Sequence, residues 1–159
     1  MKKLALTDFA KYRYPSALEL SPDGRYLTFA LKEVDREGDG YRWNLWLYDL
    51  ESRESRQITQ GDDQRQAVWE DNTHILYKTT EPDEAMRARG FEEEWTVYHR
   101  LNVCTGEERE AFRLPMSVSG LWKMDEGRYV FTGETHLDRP NLLELTGEAL
   151  EKELVRRQQ

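Results

Sequence analysis

The sequence has one cysteine, Cys104, among its 159 residues. An intramolecular disulfide needs two cysteines, so none can form within this chain. Proteins without disulfides are typical of reducing compartments, and we therefore expect a cytoplasmic protein. Arg100 is the one basic residue close to Cys104 in the sequence, which favours a structural thiol over a reactive one.

Long apolar runs and excess positive charge are also missing. The N-terminal run at 4–6 is far shorter than the core of a signal peptide or a membrane-spanning helix, so we expect neither. Asp and Glu outnumber Lys and Arg by 31 to 23, giving a net charge of −8. Because this charge repels nucleic acid and anionic membranes, we expect neither as a partner.

Aromatic residues and a repeated strand pattern are present. Five Trp, eight Tyr and five Phe indicate a packed domain, since disordered chains are poor in aromatics. The first repeat contains Ser21-Pro-Asp-Gly24, in which proline presets φ and Asp-Gly tolerates left-handed backbone. Apolar and polar residues then alternate with a period of two, which predicts a strand.

Corresponding turns centre on Gly24, Asn72 and Gly127, with spacings of 48 and 55 residues. Four short antiparallel strands at a period of about 40–50 residues are typical of a β-propeller blade. We therefore predict an all-β fold, a partial propeller of about three antiparallel four-stranded blades. The predicted boundaries are an N-terminal segment at 1–16, blades at 17–60, 66–115 and 118–147, and a helical tail at 148–159.

The links inside the predicted blades vary in length. Residues 32–42 and 81–94 are charged, and we predict that they are loops projecting from one rim. Residues 141–145 are the predicted third strand of the last blade. Leu150 and Leu154, spaced i, i+4, predict a short C-terminal helix. Because a closed propeller has about four to eight blades, we expect this chain to be part of a larger one.

Three sequence segments resemble a known family: Ser21-Pro-Asp-Gly-Arg-Tyr-Leu-Thr-Phe, Asn44-Leu-Trp-Leu-Tyr-Asp-Leu and Arg56-Gln-Ile-Thr. They resemble blades of the prolyl oligopeptidase family of serine peptidases, most closely its bacterial acylaminoacyl-peptidase-like branch. The resemblance spans about 8–145. It implies an N-terminal propeller joined to a C-terminal α/β-hydrolase domain that carries the catalytic Ser, Asp and His.

The nucleophile of such a hydrolase lies in Gly-x-Ser-x-Gly, and no serine of this sequence has that context. We therefore carry over no catalytic residue, metal or cofactor. The resemblance implies a non-catalytic segment that gates or orients peptide substrates for a hydrolase domain outside the chain.

Phe91-Glu-Glu-Glu-Trp95 is the candidate binding segment. In the dipeptidyl-peptidase branch of the family, a pair of glutamates on the propeller holds the amino terminus of the peptide. The resemblance makes Glu92 and Glu93 candidate substrate-binding residues, since carboxylates accept charge-assisted hydrogen bonds from an ammonium group. The alternative is a solvated acidic loop.

Other polar residues give weaker patterns. His74, His99 and His136 lie far apart and lack a metal-binding spacing, so we expect none to be catalytic. Asp35 and Asp39 resemble part of a calcium loop, but position 46 is Trp where an EF-hand needs Glu, so we expect a charged loop.

A second hypothesis is a self-standing binding module. An open array of blades exposes strand edges that pair readily with another chain, and two copies would close one ring as a homodimer. An independent small enzyme is disfavoured because no nucleophile–base–acid set is recognisable.

Overall fold

The computed structural model describes residues 6–35, 37–134 and 138–158. His136 lies outside these ranges. The fold is all-β, as predicted, with two antiparallel four-stranded sheets, one two-stranded sheet and two short α-helices.

The first sheet follows a 3₁₀-helix at Leu6–Lys11. Its strands are paired in chain order: β1 (Tyr14–Leu20), β2 (Tyr26–Asp35), β3 (Gly40–Asp49) and β4 (Glu54–Gln57). The predicted turn between β1 and β2 is confirmed. Gly24 adopts φ +74°, and the Asp23 carboxylate accepts hydrogen bonds from the Ser21 hydroxyl (2.7 Å) and the Arg25 amide (3.1 Å).

The loop predicted at 32–42 is wrong, because β2 and β3 continue pairing to Asp35 and Gly40. The antiparallel pairing of the strands continues through the charged residues, since Lys32 pairs with Trp43 and Val34 with Tyr41. Adjacent side chains on this face stabilise the longer hairpin, since Lys32 Nζ lies 3.7 Å from the centre of the Tyr41 ring.

The second sheet repeats the same order with β5 (Ala67–Trp69), β6 (His74–Pro82), β7 (Glu94–Asn102) and β8 (Glu108–Leu114). Contacts divide the described chain into two units. The first contains 6–79 and His99–Arg109, and the second contains Thr80–Tyr98 and 110–158. The ranges of β6, β7 and β8 therefore fall partly in each unit.

The core of the first unit is formed by apolar side chains from both four-stranded sheets. Its buried members are Ala30, Leu45, Leu47, Ala67, Trp69, Ile75, Tyr77, Leu101 and Val103. Trp69 also donates its indole N–H to the carbonyl oxygen of Glu19 at 3.2 Å. Burial of this much apolar surface is the main stabilising term of such packing.

In the described part of the chain, the third sheet consists of β9 (Ser117–Lys123) and β10 (Tyr129–Glu134), joined by a 3₁₀-turn at Asp125–Gly127. The strand predicted at 141–145 is wrong. Leu142–Glu144 forms a 3₁₀-helix instead, and the Asn141 side chain caps it by accepting a hydrogen bond from the Leu143 amide at 3.0 Å. This side-chain bond favours a helical turn over a strand.

Two α-helices complete the second unit. The segment predicted as a charged loop at 81–94 contains helix α1 (Glu84–Arg87), so that prediction is wrong for its central residues. The predicted C-terminal helix is confirmed as α2 (Gly147–Gln158).

Candidate functional site

The acidic segment 92–94 lies where the excursion from β6 returns to the sheet as β7. Hydrogen bonds of Asp83 link the two ends of this excursion. Its amide donates to the carbonyl oxygen of Glu93 at 2.8 Å, and its carboxylate accepts from the Trp95 indole and the Met86 amide, each at 2.9 Å. The Trp95 bond, followed by the Met86 bond, lowers the pKa of Asp83.

Apolar residues hold α1 and α2 together within the second unit. Met86, Leu142 and Leu154 are buried in one cluster, and Phe91 and Leu150 pack against it. Leu154 keeps only 2% of its surface exposed. The cluster fixes the course of the chain that carries the three glutamates.

Arg157 binds the middle glutamate of the segment. Its guanidinium lies 3.0 Å from Glu93 Oε1 and 3.0 Å from Glu153 Oε1, and it also donates to the carbonyl oxygen of Pro140 at 2.6 Å. Only 19% of the Arg157 side chain and 24% of the Glu93 side chain are exposed. Glu93 is therefore already neutralised by a cation of its own chain.

A second ion pair joins the same elements at the surface. Arg89 donates to both carboxylate oxygens of Glu151, at 2.9 and 2.7 Å. The pairing lowers the pKa of Glu151 and raises that of Arg89. Because both side chains are well exposed, solvent screens the pair and we assign it little stabilising effect.

Two cavities border the acidic segment. One, of about 290 Å³, is lined by Glu92, Glu93 and Glu94 together with Ser117, Glu134, Arg139, Asn141 and Arg157. The other, of about 480 Å³, is lined by the same glutamates with Arg87, Gly90 and Phe91. Glu92 and Glu94 are exposed, whereas Glu93 is partly buried.

The structure thus brings Glu92 and Glu93 to the same cavities but gives them different surroundings. Glu92 offers an exposed carboxylate that can accept hydrogen bonds from a ligand ammonium group. Glu93 would have to exchange its bond with Arg157 for any such contact. Of the two predicted residues, Glu92 is therefore the better placed to bind a cation.

Sequence reasoning missed Arg157 as a member of the site. The partner of Glu93 lies 64 residues further along the chain, on a helix whose position depends on apolar packing. One ion pair of this network can be predicted from the sequence. Glu153 and Arg157 are four residues apart on a predicted helix, a spacing that favours an ion pair.

The described histidines take part in hydrogen bonds between neighbouring side chains. His74 Nδ1 lies 2.9 Å from Asp71 Oδ2. His99 Nε2 lies 2.9 Å from the Thr79 hydroxyl, and its Nδ1 lies 3.5 Å from Glu108 Oε1. Thr79, His99 and Glu108 belong to adjacent strands, so we interpret them as a cross-strand network.

The remaining sequence candidates lie elsewhere. Cys104 is exposed, and its thiol lies 3.7 Å from the Tyr26 hydroxyl. Asp35 and Asp39 flank the tip of the β2–β3 hairpin. Within the described ranges, no group of His, Cys, Asp or Glu side chains is arranged to hold a metal ion. None of the helices in this part of the chain is long and apolar enough to span a membrane.

Comparison with known proteins identifies the fold. No protein-family model matches the sequence, and no curated protein sequence does. Among solved structures, the chain is similar to the β-propeller domain of the Trilobed protease from Pyrococcus furiosus, described as having an open velcro topology. The TM-score is 0.55 at 14% identity, over 77% of this chain and 34% of that chain.

The chain is also similar to the acylaminoacyl peptidase of Pyrococcus horikoshii. That match has a TM-score of 0.58 at 12% identity and covers 79% of this chain but only 18% of the peptidase. The chain therefore spans well under half the length of either protein. At these identities the similarity shows the fold, which is that of β-propeller blades.

Proposed function

We propose that this chain is a propeller segment of a prolyl-oligopeptidase-type serine peptidase and orients peptides for an α/β-hydrolase domain outside the chain. The observation that carries the proposal is the blade fold, which is similar to the propeller domain of a protease and to an acylaminoacyl peptidase. The segments from Ser21 to Phe29 and from Asn44 to Leu50 resemble the same family. We further propose a cytoplasmic location, in keeping with the single cysteine.

Glu92 is the residue that we propose to contact the peptide. Its exposed carboxylate borders both cavities beside the acidic segment. An ammonium group at the peptide terminus would donate hydrogen bonds to it. Glu93 would contribute only after release from Arg157, so we assign Glu92 the leading role.

The first test is the size of the natural product. An antibody against this chain is used on extracts of the source cells, and the mass of the detected polypeptide is compared with 18.9 kDa. A product several times larger that hydrolyses peptides at an active serine supports the proposal. A product of 18.9 kDa without an attached hydrolase contradicts it.

The second test is Glu92→Gln in that larger protein, with Glu51→Gln as a control on another exposed carboxylate. Loss of one charged hydrogen bond should raise KM for a peptide with a free amino terminus by about tenfold, with kcat nearly unchanged. The control should leave KM as it is. An unchanged KM in Glu92→Gln removes the binding role but leaves the propeller assignment standing.

A further inference from the structure

One face of the extended β2–β3 hairpin carries aromatic rings, and two cations, Lys32 of the hairpin and Arg65 from the segment before β5, lie over them. Lys32 Nζ lies 3.7 Å from the centre of the Tyr41 ring and 5.2 Å from that of Trp43. Arg65 Cζ lies 4.0 Å from the centre of the Trp43 ring. Cations are attracted to the negative faces of such rings, so the order along this face is Tyr41, Lys32, Trp43, Arg65.

A cavity of about 390 Å³ continues this row beyond Tyr41. Tyr41 lines one part of it and Phe9, from the N-terminal 3₁₀-helix, another. These two side chains are 49% and 55% exposed, so both rings are accessible to a ligand. The cavity lies within the first unit, apart from the residues assigned above to peptide binding.

Two carboxylates complete the lining of this cavity. Asp35 uses Oδ1 to accept the Glu37 amide at 3.1 Å, and it is only partly buried. Asp39 is exposed and stands at the start of the return strand with φ +50°. The cavity thus combines two aromatic walls with negative charge, whereas Lys32 and Arg65, the described cations of this row, each lie over a ring.

We propose that this cavity binds the guanidinium side chain of an arginine in a partner peptide. A guanidinium is planar and weakly hydrated, so it can stack on an aromatic ring while its edge donates hydrogen bonds to carboxylates. Arg65 shows the same stacking on the same face, since its guanidinium lies over the Trp43 ring. The proposal is independent of the peptidase assignment.

The test is titration of the isotopically labelled 159-residue chain with Nα-acetyl-arginine methylamide, followed by NMR. The matched ligand is Nα-acetyl-citrulline methylamide, which has nearly the same shape without the charge. We expect saturable shifts at Phe9 and Tyr41 with the arginine ligand and at least about tenfold weaker binding of citrulline.

Variants of the carboxylates and of one ring locate the binding, and a further variant controls for net charge. Asp35→Asn with Asp39→Asn keeps the shape and the acceptor for the Glu37 amide, and it should weaken binding about tenfold. Phe9→Leu should weaken it about threefold by removing one ring. Glu54→Gln with Glu107→Gln changes the net charge equally on exposed residues of the same unit and should leave affinity unchanged.

The spectra of all variants also report whether the chain remains folded. Equal affinity for arginine and citrulline would overturn the proposal. So would a loss in the Glu54 and Glu107 control as large as that in the Asp35 and Asp39 variant, because it would show attraction by net charge alone. The absence of saturable shifts at the highest soluble ligand concentration would overturn it as well.

Discussion

The carboxylates that precede β6 and β7 obtain their partners in opposite ways. Asp71 accepts hydrogen bonds from the amides of Thr73 and His74, both at 2.8 Å, within its own turn. Glu93 is bound by Arg157, which lies 64 residues further along the chain. The first carboxylate is held mainly by local hydrogen bonds, with the Arg100 guanidinium 3.5 Å away as a weaker distant partner, and the second is held by the packing of a distant helix.

This difference predicts different sensitivities to mutation. A turn needs only a few residues in the correct order, because the side chain competes for backbone groups two and three residues away. The Glu93 site needs α2 to remain in place. Substitutions on α2 should therefore change the surroundings of Glu93 without directly touching it, and the same changes should leave the Asp71 turn intact.

The largest effect is expected from Leu154→Ala. Leu154 is 2% exposed in the cluster with Met86 and Leu142, and a cavity at such a position costs about 2–4 kcal/mol in the free energy of unfolding. Urea unfolding of the purified chain measures the loss. Amide hydrogen exchange should show reduced protection of Met86 and unchanged protection of Thr73.

Val155 provides the matched control, since it is the next residue of α2 and 55% exposed. Val155→Ala should change the free energy of unfolding by less than about 0.5 kcal/mol. Equal losses in the two variants would contradict the view that the buried face of α2 fixes the acidic segment.

A smaller loss is expected from Arg157→Gln. The change removes the ion pairs to Glu93 and Glu153 and leaves Glu93 without its cation, whereas Glu153 keeps its pair with Arg156. We expect a loss of about 1–2 kcal/mol in the free energy of unfolding, because the partly buried carboxylate of Glu93 then loses its charged partner. Urea unfolding at low salt measures it.

Arg156→Gln is the control for this variant. Arg156 is 58% exposed and pairs at 2.7 Å with Glu153, which is buried but also pairs with Arg157, so the loss of Arg156 removes a solvent-screened cation and leaves Glu153 paired. We expect little change in the free energy of unfolding. A loss as large as that of Arg157→Gln would show that net charge on α2 matters more than the bond to Glu93.

The sequence alone sufficed for features with local causes. The turn at Asp23 and Gly24, the all-β class and the C-terminal helix with Leu154 were all predicted from residue type and period, because each depends on neighbours within a few positions. The acidic segment was also recognised as a candidate, from three consecutive glutamates between two aromatic residues.

The predictions that failed depend on tertiary contacts. Charge at 32–42 indicated a loop, but Lys32 stacks on Tyr41 across the hairpin and the strands continue. The repeat pattern predicted a third strand at 141–145, but Leu142 is buried in the helical cluster and the Asn141 cap turns the chain. The ion pair between Arg157 and Glu93 could not be predicted, because sequence spacing carries no information about packing between residues so far apart in the chain.

The smallest effect is expected at Asp71, where the carboxylate is held locally. Burial alone would raise the pKa of Asp71, but hydrogen bonds from the Thr73 amide and from His74 outweigh it and lower the pKa from 3.8 to about 2. A carboxyl group with a lowered pKa in the folded state stabilises the fold above its unfolded pKa. That contribution is lost as the pH falls from about 4 to about 2.

The Asp71 side chain is 47% exposed, so solvent screens its interactions and we expect a contribution of about 1 kcal/mol or less. Asp71→Asn should lower the free energy of unfolding by this amount at neutral pH and flatten its fall in acid. Asp63→Asn, at a 67% exposed side chain, is the control and should keep the slope of the parent chain. If the free energy of unfolding of Asp71→Asn falls in acid as steeply as that of the parent chain, the carboxylate does not hold the turn. The contrast between locally and distantly held carboxylates would then be wrong for Asp71.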